Sequence, residues 1–107
     1  MIKLRYTGEA RQQLRDIKEH IAKGSKKSAS NHLVQIKSKI ELIGKFPFIG
    51  KVNATMNVET IRDYIVLGYK VIYKINKNSI SVLAIYKYID FDETLLDIQK
   101  INKKSKS

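Results

Sequence analysis

The chain has no cysteine, one proline, five glycines and two histidines in 107 residues. Without cysteine there is no disulfide, no zinc ribbon and no thiol nucleophile. His20 and His32 both fall in stretches of helical period and read as helix-flank residues, so no metal site and no cofactor are expected. A Gly-rich phosphate loop, a serine nucleophile elbow and a Cys–His pair are all missing. No apolar run approaches the roughly 18 residues of a membrane span. The opening residues, Met1 to Arg5, are charged at once with no apolar stretch behind them. No signal peptide and no membrane partner are therefore expected, and the expected location is the cytoplasm. Acidic residues are also scarce.

Lys and Arg number 21 against 10 Asp and Glu, a formal net charge of +11. The surplus is spread along the chain: residues 1–50 hold 11 basic and 4 acidic side chains (+7), residues 51–107 hold 10 and 6 (+4). Such a potential favours a nucleic acid, an acidic protein or an anionic surface. Seventeen of the 21 are lysines, which compositional drift would also produce, although drift does not account for so few acids. Length, with 43% hydrophobic and 29% charged residues, fits one small folded domain. That domain is expected over residues 1–101, followed by a basic, disordered tail at 102–107.

Residues 2–7 alternate, with Ile2, Leu4 and Tyr6 on one face and Lys3 and Arg5 on the other, which predicts a half-buried strand. Thr7 offers an N-cap, and Ala10, Leu14, Ile17 and Ile21 follow at helical spacing up to Gly24. Ala29, Leu33, Ile36, Ile40 and Ile43 mark a second helix, ended by Gly44, Pro47 and Gly50. From residue 59 the period becomes two. Strands are predicted over 59–66, 69–75 and 80–89, with turns at Gly68 and at Asn76-Lys77-Asn78, whose residues suit positive φ. A short helix could follow from Asp92. The expected fold is α+β, with an N-terminal strand, a two-helix hairpin and a three-stranded antiparallel meander, the helices on one sheet face.

Tyr69, Val71, Tyr73 and Ile75 should meet the helices, leaving Lys70, Ile72 and Lys74 on an open face suited to a polyanion or an added peptide. Lys87 and Ser81 interrupt the apolar last strand. Tyr64, Tyr86 and Tyr88 are candidates to stack a base or fill an interface pocket, with plain packing as the alternative. Arg62 is the one arginine after Arg15, and its planar fork suits a phosphate or carboxylate. A salt bridge to Asp63 or Glu59 would serve equally well. The acids Asp90, Asp92, Glu93 and Asp97 could assist hydrolysis through a metal, but helix capping explains Asp92 and Glu93 more simply.

Three stretches together carry a family resemblance: YTGEARQQLRDIKEHIA, then KSKIELIGKFPFIGK, then ETIRDYIVLGYKVIYKINKNSISVLAIYKY. In order and spacing, across roughly residues 2–92, they resemble the RelE/ParE superfamily of toxins from type II toxin–antitoxin systems. The resemblance implies the fold already derived, growth inhibition, and neutralisation by a cognate antitoxin with an acidic contact surface. RelE-like members cut mRNA on the ribosome, whereas ParE-like members poison DNA gyrase and hold no hydrolytic site. The RelE-like pattern has an arginine directly after the Gly-Tyr of the middle meander strand, where this chain has Lys70, and a basic residue after the last strand, where it has Ile89, Asp90 and Phe91. The long helical hairpin and the position of Arg62 favour the ParE-like branch. Under that branch the resemblance implies contacts to antitoxin or gyrase through Arg62, Lys70, Ile72, Lys74, Lys87 and Tyr88. Under the nuclease alternative, Arg62, Lys70, Lys74 and Tyr88 would be catalytic.

Overall fold

The structure, a computed structural model, describes residues 2–24 and 26–88. Strand β1 (Lys3–Tyr6) leads into helix α1 (Gly8–Ala22), and helix α2 (Lys26–Lys45) follows after a short turn. Then come β2 (Lys51–Val52), β3 (Ile61–Val66), β4 (Tyr69–Ile75) and β5 (Ser79–Lys87). The predicted helix after Asp92, the acids from Asp90 onward and the basic tail lie outside the described residues.

The expected α+β arrangement is present, with five strands in the order β1-β5-β4-β3-β2. The meander pairs antiparallel, and β1 pairs parallel to β5, Leu4 beside Ile80 and Tyr6 beside Val82. The two-residue strand β2 caps the opposite edge, Lys51 beside Asp63.

Packing of the two helices onto one face follows from their apolar stripes. Ala10, Leu14 and Ile17 of α1 and Ile36, Ile40 and Ile43 of α2 are buried against Val71, Tyr73, Ile80, Val82 and Ile85. At roughly 1.5–3 kcal/mol for each fully buried large aliphatic side chain, this contact dominates the domain's stability. Tyr64, a stacking candidate from the sequence, lies in register with Val71 and packs against this core instead.

Thr7 fixes how α1 meets the sheet. Its Oγ1 accepts from the Ala10 N–H at 3.1 Å, as an N-cap should, and donates to the Leu83 carbonyl at 3.0 Å. Leu83 is the extra residue of a β-bulge, since Tyr73 pairs with Val82 and Ile72 with Ala84. The Ile85 N–H just beyond the bulge donates to the Gln13 side chain of α1. Side chains at the start of α1 thus satisfy the backbone groups at the bulge.

The two hairpin turns differ from the sequence reading in detail. Leu67 (φ 49°) and Gly68 (φ 86°) are both left-handed, the conformation that matches a two-residue turn to strand twist. The Asn76–Asn78 turn contains no positive φ. Asn76 serves through its side chain, whose amide donates to Ser79 Oγ at 3.2 Å and Ser81 Oγ at 2.9 Å.

Candidate functional site

Strand alternation sorts the candidate residues onto two faces. Register places Lys70 with Tyr86, Ile72 with Asp63 and Ala84, and Lys74 with Ser81, on the face away from the helices. Lys70 Nζ lies 3.8 Å from Asp63 Oδ2 and 4.4 Å from the centroid of the Tyr88 ring. Asp63 Oδ1 accepts from Asn53 Nδ2 at 2.7 Å. Both carboxylate oxygens are therefore engaged, and a polar chain runs from the loop at Asn53 across the sheet to Tyr88. A concavity of about 430 Å³ opens here, lined by Gly50, Val52, Asp63, Ile65, Lys70 and Tyr88. Lys74 is exposed and carries no ion pair among the described residues.

Arg62 and Lys87 fall on the other face. Arg62 stands opposite Tyr73, and its guanidinium takes neither Asp63 nor the Glu59 carboxylate. It donates to the Glu59 carbonyl at 2.9 Å and the Gly50 carbonyl at 2.8 Å, and lies 4.8 Å from the Phe48 ring centroid. The buried Tyr73 hydroxyl donates to the Pro47 carbonyl at 2.6 Å and accepts from the Gly50 N–H at 3.0 Å. Burial raises the Tyr73 pKa, outweighing the lowering by the Gly50 bond and Arg62, so the phenol keeps the proton this bond requires. Together these side chains clamp the irregular segment 46–60 onto the edge of the sheet. Arg62→Ala should lower stability by about 1–2 kcal/mol and speed proteolysis within 46–60. Unchanged protease susceptibility of that segment would refute the clamp.

Lys87 stands opposite Tyr69 and lines a hollow of about 290 Å³ with Gln13, Asp16, Ile17 and His20 at the end of α1. His32 meets the edge of the Tyr69 ring, with centroids 6.5 Å apart. Among the described residues, no group of three or more His, Asp or Glu side chains is placed to hold a metal. No described helix is long and apolar enough to cross a membrane.

A further surface lies along the outside of the hairpin. Two concavities of about 570 and 270 Å³ share Arg11, Leu14 and Lys37 as walls. Lys3 and Arg5 border the first, Arg15 and Lys18 the second, above a floor that includes Leu4 and Leu33. None of these six cations is in an ion pair among the described residues. The result is an apolar trough with a cationic rim.

The fold has counterparts among known proteins. Residues 4–88 match the family described as ParE toxin of type II toxin-antitoxin system, parDE. The chain belongs to the ParE toxin family. No curated protein matches it by sequence. The structure titled "Chromosomal ParDE TA system from P. aeruginosa" superposes with a TM-score of 0.71 at 16% identity. The match covers 83% of this chain and 98% of that one, a likeness of fold.

In this ParE-family toxin, Lys70, Ile72, Lys74 and Tyr88 come together on or beside the open face, while Arg62 and Lys87 do not join them. The cationic trough was not anticipated from the sequence. A signal was present in the outward positions Arg11, Arg15 and Lys18 of α1, which recur at spacings 4 and 3 on one side of its apolar stripe.

Proposed function

We propose that this chain is a growth-inhibiting toxin that acts in the cytoplasm by binding and poisoning DNA gyrase, and that a cognate antitoxin neutralises it. Membership of the ParE family carries this reading. Lys70, Ile72, Lys74 and Tyr88 serve as target contacts. The open face supports binding over strand cutting. In-line attack by a ribose hydroxyl needs a proton acceptor, and Asp63 on this face is already engaged by Asn53 and Lys70, which leaves Tyr88 as the acceptor the nuclease alternative requires. The antitoxin lays an acidic amphipathic segment into the trough between the helices, since an apolar floor under six unpaired cations fits that chemistry.

The test runs purified toxin in parallel gyrase-supercoiling and translation-extract assays, with and without the product of a short neighbouring reading frame. Supercoiling should stop, mRNA should stay intact, and the neighbour's product should reverse the effect. Intact supercoiling alongside cleaved mRNA would replace gyrase with the ribosome as target.

A further inference from the structure

The open sheet face carries a second feature, away from Lys70 and Tyr88. Across three neighbouring strands, Arg5, Ser81 and Lys74 stand side by side, and one step along β5 Lys3 stands beside Ser79. Strands lie about 4.8 Å apart and residues two apart on a strand are separated by about 7 Å. Arg5 and Lys74 thus flank the Ser81 hydroxyl closely enough for both long side chains to meet one anion above it. Lys3, Arg5 and Lys74 have no ion pair among the described residues.

The serines are set up as donors. Each hydroxyl already accepts a hydrogen bond from the Asn76 amide, at 3.2 Å for Ser79 and 2.9 Å for Ser81. Neither hydroxyl donates to another group among the described residues. A hydroxyl offers one proton, and here it remains available for an outside acceptor. Two hydroxyl donors two residues apart, each beside unpaired cations, make two adjoining anion seats within reach of consecutive phosphates of an extended strand.

The next rows suit the bases. Past the bulge lie Ile72 with Ala84 and then Lys70 with Tyr86, followed by Tyr88. Tyr86 and Tyr88 are exposed, and Lys70 is a cation placed beside them. A cationic, hydroxyl-bearing track next to apolar and aromatic positions is the arrangement that binds single strands without reading sequence. An acidic peptide suits the apolar trough of the helical hairpin better than this broad polar track.

We infer that the open sheet face binds the sugar–phosphate backbone of single-stranded nucleic acid, seating phosphates at Lys3–Ser79 and Arg5–Ser81–Lys74. This goes beyond the gyrase reading and does not depend on it. The assay contains no gyrase, so failure here and failure there are separate results.

Fluorescence anisotropy with labelled (dT)12 and (U)12 on the full chain tests it. Both oligonucleotides should bind, more weakly as salt rises, and their ratio tells which kind of strand the face prefers. Arg5→Glu with Lys74→Glu should weaken binding roughly 50-fold at about 50 mM salt, the factor two phosphate contacts carry on a single strand. Lys23→Glu with Lys39→Glu changes net charge equally on exposed helix positions and should cost no more than about threefold, because screening confines the field. Ser81→Ala should weaken binding several-fold, with only the small loss of thermal stability expected from the missing Asn76 bond. Equal loss in both charge-matched pairs would overturn the inference, reducing the effect to net charge. Binding of labelled polyglutamate but of neither oligonucleotide would also overturn it, in favour of an acidic peptide.

Discussion

Gly50→Ala should destabilise the domain by about 3 kcal/mol, a large loss for the addition of one methyl group. A Cβ at Gly50 would stand 2.5 Å from the Asp63 carbonyl oxygen and 3.0 Å from the Tyr73 ring. Neither can retreat: Asp63 is in the β3 ladder and Tyr73 is fully buried. The same residue's N–H and carbonyl bond to Tyr73 and Arg62, so any shift to relieve the clash also strains two hydrogen bonds. For a domain of this size the midpoint of thermal unfolding should fall by about 10–20 °C. Gly8→Ala is the contrast, because a Cβ there meets nothing within 4 Å. It should leave the midpoint unchanged or raise it slightly. A Gly50→Ala protein as stable as the parent would show that the 46–60 segment is not held against the sheet.

Reversing two charges in the trough should separate toxicity from neutralisation. Arg11→Glu with Lys37→Glu alters two walls common to both concavities, on exposed positions where folding is insensitive. Antitoxin affinity should drop about 100-fold, with a slower association rate and a flatter salt dependence, because acidic residues then meet acid. Cells carrying the pair should die although both partners are made. Parental affinity, or parental salt dependence, would place the antitoxin elsewhere on the molecule.

Lys3 and Arg5 border both the open sheet face and the trough. Tyr6, half-buried at its rim, has a pKa raised by burial and then by the nearby Glu41 carboxylate, so the trough's phenol stays neutral and packs as an apolar group. Arg62 and Tyr73 on the β2 side anchor a loop, while Lys3, Arg5 and Lys74 remain available. Among the described cations, Arg62 holds backbone carbonyls and Lys70 pairs with Asp63, whereas Lys3, Arg5 and Lys74 are in no ion pair.

Much of this was legible in the sequence because periodicity is a local property. The alternation of Tyr69, Val71 and Tyr73 with Lys70, Ile72 and Lys74 assigns faces without any knowledge of neighbours. The 3–4 spacing of Ile36, Ile40 and Ile43 likewise specifies a buried stripe, and Thr7 before Gly8-Glu9-Ala10 specifies where α1 starts. Net charge, lack of cysteine and the order of elements other than the short edge strand β2 follow from composition and pattern alone. What only the tertiary structure decided is which distant residues meet. That β1 lies beside β5 brings Arg5 to Ser81, 76 positions away along the chain. The Thr7 N–H, donating to the Val82 carbonyl at 3.1 Å, closes that pairing. Arg62 looked like a ligand-seeking arginine until Gly50 and Phe48 folded onto it. Such contacts depend on long-range closure and the satisfaction of buried backbone groups, which no local pattern encodes.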